Sequence, residues 1–181
     1  MRNAARTRRR GSVAPPSDDP RKAVQHGLRL LSRSARSEHD VRERLEARFT
    51  AEAVTVALRR LRALGYVDDR AWAAAYVERP RSLLCSARLL QRELRARGIS
   101  HEIAEAATGE HDDDRAALAA ARIALRRLSR RPGGSDAGSD RTRSRRLVAA
   151  LARRGFDPGT IERVRSRLRG DRAREANRVT P

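Results

Sequence analysis

The sequence predicts an all-α protein built as three tandem three-helix repeats in an elongated, curved helical array, and three observations predict it. Ala, Leu, Arg and Glu dominate the 181 residues while aromatic residues make up 3%, a composition that favours helices and leaves only a thin aliphatic core. Such a core suits burial spread over stacked units better than one deep centre. Apolar residues recur at helical spacing almost without a break between the two termini, outside one stretch rich in Gly and Ser. Finally, one local pattern occurs three times: a Leu, basic residues, a turn, an apolar anchor, a capping residue and a new helix.

Taken in order, residues 1–20 carry Gly11, Pro15, Pro16 and Pro20 beside the basic run Arg8-Arg9-Arg10. They lack apolar periodicity and read as a disordered basic arm. The first repeat, 21–65, holds a helix over 23–31 and then Leu45-Glu46-Ala47-Arg48-Phe49-Thr50. The second, 66–110, holds a helix over 70–78 and then Leu94-Arg95-Ala96-Arg97-Gly98-Ile99-Ser100. The third, 111–169, holds a helix over 115–128, a flexible insertion at 132–140, and then Leu151-Ala152-Arg153-Arg154-Gly155-Phe156-Asp157. Residues 170–181 read as a disordered tail.

Gly98 and Gly155 fall where a helix end favours a left-handed residue, and Gly65 ends the helix before Tyr66. Thr50, Ser100 and Asp157 offer side-chain oxygens to the exposed amides of the next helix, and Pro158 fits its first turn. Asp69 and Asp114 are the N-caps expected for the opening helices of the second and third repeats. The anchors Phe49, Ile99 and Phe156 are followed five residues on by Val54, Ala104 and Ile161, which places an apolar stripe on each following helix. No Gly stands between Arg48 and Phe49, so the first turn must be tighter or differently closed.

The formal charge of +19 rests almost wholly on Arg, since Lys22 is the only Lys. The excess is +5 over residues 22–65, +1 over 66–109 and +8 over 141–170. It fits an acidic partner, whether nucleic acid or protein, and equally a solvated Arg-rich face favoured by GC-rich codons. The ten arginines of the third repeat, Arg141, Arg143, Arg145, Arg146, Arg153, Arg154, Arg163, Arg165, Arg167 and Arg169, are compensated there only by Asp157 and Glu162. They are the favoured binding candidates, because a guanidinium fork suits phosphate and carboxylate alike. One Cys excludes an internal disulfide, and no apolar run is long enough to span a bilayer. A cytoplasmic protein without membrane contact is expected.

The stretch Leu64-Gly65-Tyr66-Val67-Asp68-Asp69-Arg70-Ala71-Trp72 with Tyr76 resembles the signature of RecX regulatory proteins. The upstream run Leu30-Leu31-Ser32-Arg33-Ser34-Ala35-Arg36-Ser37-Glu38 and the downstream Leu94-Arg95-Ala96-Arg97-Gly98-Ile99-Ser100 resemble that family in order and spacing, over roughly residues 22–169. The resemblance implies a non-catalytic regulator of homologous recombination and DNA repair, linked to the SOS response. Its expected partner is the RecA recombinase filament, with DNA, single- or double-stranded, as a second; binding by a monomer would inhibit recombinase activity. A RecA-independent basic helical module that binds DNA is the alternative.

In this reading Leu64, Gly65, Tyr66, Asp68, Asp69, Trp72 and Tyr76 are structural. Trp72 and Tyr76 stand four apart on one helix face, where packing outweighs base stacking, and Tyr66 is a staple under its turn. Asp68-Asp69 and Asp112-Asp113-Asp114 open helices, where carboxylates meet the positive end of the dipole, so capping outweighs metal binding. His26, His39, His101, His111 and Cys85 lack zinc-ligand spacing. Neither a Gly-rich phosphate loop nor a nucleophile elbow occurs in the sequence. No catalytic residue, metal or cofactor is therefore expected.

Overall fold

A computed structural model describes residues 15–129 and 137–179. Among the described residues nine α-helices form, in three sets of three. The first set is α1 (Pro20–Leu31), α2 (Glu38–Glu46) and α3 (Ala51–Ala63). Helix α4 (Asp69–Val77), a short 3-10 turn (Ser82–Leu84), α5 (Ala87–Arg95) and α6 (His101–Thr108) form the second. The third comprises α7 (Asp113–Ser129), α8 (Ala137–Ala152) and α9 (Pro158–Val179). The chain divides into two compact units, Met1–Val67 and Asp68–Pro181, so the second unit holds the last two sets.

Capping chemistry sets most helix starts. Asp19 accepts from the amides of Arg21 and Lys22 with Pro20 at the first position, while Ser37, Thr50, Ser86 and Ser100 each accept from the amide three residues on. Asp157 caps α9 through the Thr160 amide at 3.0 Å and binds the Thr160 hydroxyl as well. These bonds hold the Asp157 carboxyl below the usual range. Two expected caps are displaced. Asp68, not Asp69, caps α4 by accepting from Arg70 and Ala71, and Asp112, not Asp114, accepts from the Arg115 amide at 2.9 Å. The extended backbone of Asp68 lets its side chain fold back over the first turn, whereas Asp69 is already helical.

Helix ends follow the glycine pattern: Gly65, Gly98 and Gly155 adopt φ of 73°, 75° and 85°. The turn without a glycine is tighter: the Phe49 amide reaches the Leu45 carbonyl four residues back at 2.9 Å, where Tyr66 and Ile99 reach five residues back to Leu61 and Leu94. Ser17 lies against Phe49 as an extended bridge, donating its amide to the Arg48 carbonyl at 2.9 Å and accepting from the Thr50 amide at 3.0 Å. The described end of the expected disordered arm is thus bound to the first set, and residues 1–14 lie outside the described part.

Each set has its own core. In the first, Val41, Leu45, Val54, Leu58 and Leu61 are fully buried around the Phe49 anchor. A Cβ at Gly27 would come within 2.6 Å of Leu61 Cδ1, so a side chain there would make the buried Leu61 methyl shift where α1 meets α3. In the second core Leu90, Leu94 and Ala104 are fully buried beside Ile99, Trp72 and Tyr76. The third is assembled from Ala116, Ala117, Ala120 and Ala121 on α7, Leu147 and Leu151 on α8, and Phe156, Ile161 and Val164. Four alanines in two turns permit close helix approach at low apolar volume.

Within the second unit, the segment before α5 joins the last two sets. Leu84 packs on the third core, Ser86 donates its amide to the Arg154 carbonyl at 2.9 Å, and the Ala87 amide bonds Asp113 at 2.7 Å. The buried His111 ring reaches the Cys85 carbonyl at 2.7 Å. Cys85 itself is 5% exposed, with its Sγ 3.5 Å from the Arg81 carbonyl, and burial pushes its thiol up. A Cβ at Gly155 would lie 2.5 Å from Ser86 Oγ, which shows how closely the Gly155 turn meets α5.

Three further expectations are corrected. Tyr66 is 56% exposed and staples nothing, because the chain leaving Gly65 turns its ring outward and buries Val67 instead. Helix α9 continues to Val179 rather than ending before a disordered tail. The expected flexible insertion at 132–140 overlaps α8, which already begins at Ala137; residues 130–136 lie outside the described part.

Candidate functional site

The third set carries the densest positive charge, and its ten candidate arginines fall on α8, the turn after it and α9. Helix α8 bears Arg141, Arg143, Arg145 and Arg146; Arg153 and Arg154 follow its last turn; α9 bears Arg163, Arg165, Arg167 and Arg169. Arg163 grips the Asp114 carboxylate of α7 with two nitrogens, Nη2 at 2.9 Å and Nε at 3.1 and 3.2 Å, and this pairing raises its pKa further. Glu162 receives both Arg169 at 2.8 Å and Arg165 at 2.6 Å, and these bonds, that from Arg169 foremost, hold its carboxyl below the usual range. Arg165 also bonds Ser144, and Arg154 donates to the Ala150 carbonyl.

Arg141, Arg145, Arg146, Arg153 and Arg167 are exposed and have no carboxylate partner among the described residues. The structure therefore splits the arginine set into Arg163, Arg165 and Arg169, neutralised by Asp114 and Glu162, and an uncompensated part on α8 and the turn after it that Arg167 of α9 joins. Beside α8 lies a groove of about 590 Å³ formed with α7, in which Arg127 joins Arg146, Arg153 and Arg154. Sequence reading passed over Arg127 because the Gly/Ser stretch at 132–140 separates it from the cluster. Its position four residues after Ile123 on α7 was the available signal.

The signature residues fall into two groups. Trp72 and Tyr76 are buried and stacked, with ring centroids 5.3 Å apart at 24°. The Arg79 guanidinium lies 4.7 Å from the Tyr76 centroid and 5.5 Å from that of Trp72, and Arg97 lies 5.1 Å from Tyr76. Tyr76 donates its phenolic hydrogen to Glu93, which also receives Arg81 at 2.9 Å. Burial, then this bond, raises the Tyr76 pKa. The aromatic pair is thus packed inside the second core. Asp68 and Asp69 start α4 as described, while Leu64 is 45% exposed and Gly65 supplies the left-handed turn.

The histidines are dispersed. His39 and His101 face glutamates on their own helices, His26 packs on Phe49, and His111 is held at Cys85. Among the described residues no three His, Cys, Asp or Glu side chains converge in a metal-holding group. No helix among them is long and apolar enough to cross a membrane.

These features define a class: a tandem three-helix-repeat protein with an arginine-lined surface on its third repeat. Residues 23–61 match the family model described as RecX, first three-helix domain. The chain is similar to a regulatory protein RecX of Mycobacterium sp., 33% identical over 166 residues that cover 88% of this chain and 90% of that one. The regulatory protein RecX of Thermus thermophilus is 43% identical over 83 residues, covering 46% of this chain and 58% of its own length. A crystal structure of regulatory protein RecX superimposes with a TM-score of 0.68 at 26% identity, over 81% of this chain and 73% of that chain. The chain belongs to the RecX family of regulatory proteins.

Proposed function

We propose that the chain binds RecA or the RecA–DNA filament and restrains recombinase activity by occupancy rather than by chemistry. The observation that carries this reading is the set of exposed arginines without a carboxylate partner among the described residues, on α8, the turn after it and α9, in a chain of the RecX family. Arg141, Arg145, Arg146, Arg153 and Arg167 offer fixed positive charge to an acidic protein face or to phosphates. The repeat boundaries at 65/66 and 110/111 make each three-helix set a separate contact module within this reading. Action as a monomer in the cytoplasm belongs to the same proposal.

The test is RecA-catalysed ATP hydrolysis and strand exchange with the purified chain added below the RecA concentration. Slowed rates are expected, and unchanged rates at equimolar protein reject the reading. The five unpaired arginines also suit a DNA-binding module that acts without RecA. Such a module would lose about 10³–10⁵-fold in affinity from low to moderate salt if about 6–10 phosphates are contacted. A RecA pull-down that survives nuclease treatment separates the two.

A further inference from the structure

Helix α8 has a different groove on each flank. Towards α9 the cleft is small, about 170 Å³, and two of its arginines, Arg165 and Arg169, are already engaged by Glu162. Towards α7 the groove is wider, about 590 Å³, and its charge is uncompensated. Arg146, Ala149, Ala150 and Arg153 follow one another at the spacing of a single helical stripe. Across from them stand Ile123, Ala124, Arg127 and Leu128 of α7. The result is an aliphatic floor between guanidinium rims.

Two features of this groove select its ligand. Among the described residues no carboxylate lines it, so Arg127, Arg146 and Arg153 keep their charge available for an acidic group. No aromatic ring lines it either, so it lacks the platform on which unpaired bases stack. The floor offers Ile123 and Leu128 to aliphatic side chains, and Ala149 and Ala150 are small enough for a backbone to come close. A groove between two helices with these properties accommodates a third helix carrying Leu-like and carboxylate side chains on one face.

We infer that the α7–α8 groove is a docking site for an acidic amphipathic helix of a partner protein. The carboxylates of that helix meet Arg127, Arg146 and Arg153, and its aliphatic side chains cover Ile123 and Leu128. This inference rests on the reading that the chain works by binding an acidic partner, and it names the element that the third repeat grips.

The test measures anisotropy of a labelled helical peptide bearing Leu and Glu on one face, titrated with the full chain and with no recombinase present. Arg146→Glu combined with Arg153→Glu is expected to weaken binding at least about tenfold, whereas Arg59→Glu with Arg60→Glu, at exposed positions of α3, leaves it within about twofold. Ala149→Trp leaves the charge unchanged and fills the floor at an exposed position. It is expected to weaken the peptide at least about tenfold while leaving a labelled oligo-dT strand unaffected. Equal binding of a peptide with Ser in place of Leu overturns the inference, as does a peptide insensitive to Ala149→Trp. Oligo-dT that loses affinity in the same variants as the peptide assigns the groove to nucleic acid instead. Because RecA is absent, a negative result here leaves inhibition of RecA standing. Tight peptide binding beside unchanged ATP hydrolysis would reject RecA alone.

Discussion

The amide of Ser86 donates to the carbonyl of Arg154 at 2.9 Å, and the amide of Ser17 donates to Arg48 at the same distance. Arg48 and Arg154 occupy equivalent places, three residues after Leu45 and Leu151 in their repeated turns. In both cases a serine from a segment outside the helical hairpin satisfies the carbonyl at the end of a helix. The device is the same whether or not the turn contains glycine.

Gly155 is constrained twice, by a φ of 85° and by Ser86 Oγ and Leu89 Cβ at 2.5 and 2.7 Å from any added Cβ. Gly155→Ala should therefore cost about 2–4 kcal/mol from backbone strain and overpacking together. Gly65, with φ 73° and open space around it, isolates the backbone component, and Gly65→Ala should cost about 1 kcal/mol. Urea denaturation of the two variants checks the difference. Equal losses would show that the contact between the Gly155 turn and α5 contributes nothing.

Leu94 is fully buried in the second core, whereas Val56 is 47% exposed on α3. Leu94→Ala should destabilise by about 2–5 kcal/mol and Val56→Ala by at most about 0.5 kcal/mol. Thermal melts followed by circular dichroism distinguish them.

Ser17→Pro removes the N–H that Arg48 accepts. A loss of about 1 kcal/mol is expected in the first unit. Amide exchange near Thr50 should accelerate, and unchanged protection there would show that the Ser17 bridge does not persist in solution.

His26 packs against Phe49, and burial, followed by the charges of Arg48 and Arg29, lowers its pKa below the ordinary 6.5. A lowered histidine pKa means that the unfolded chain binds the proton more tightly. Its neutral-form stability is complete above pH 6.5 and declines as the pH falls through the folded-state value. Unfolding at a series of pH values, compared between the wild type and His26→Asn, should show that component vanish in the variant.

Glu162 holds Arg165 and Arg169. Under the proposed function, Glu162→Gln removes the charge that neutralises both guanidiniums, and binding to a single-stranded oligonucleotide should tighten and depend more steeply on salt. An unchanged salt slope would show that Arg165 and Arg169 take no part in binding.

Helices, glycine turns and the caps at Thr50, Ser100 and Asp157 were legible in the sequence because each depends on one or two neighbours. The displaced caps at Asp68 and Asp112 were less so, since in a run of aspartates the choice depends on which residue stays extended. Tyr66 was misread for the opposite reason: an aromatic beside a turn glycine packs only if the chain leads it inward. Charge position was readable, but charge compensation was not. Asp114 meets Arg163 across 49 residues of sequence, a pairing that only the approach of α7 to α9 creates.

The one thiol of the chain, Cys85, is enclosed where the last two helical sets meet. A maleimide or a bulky chromogenic disulfide can reach it only when that seam parts. The wild-type protein thus carries its own clock for internal breathing, with no engineered label, and the labelling rate with and without a bound partner would time how often the seam opens.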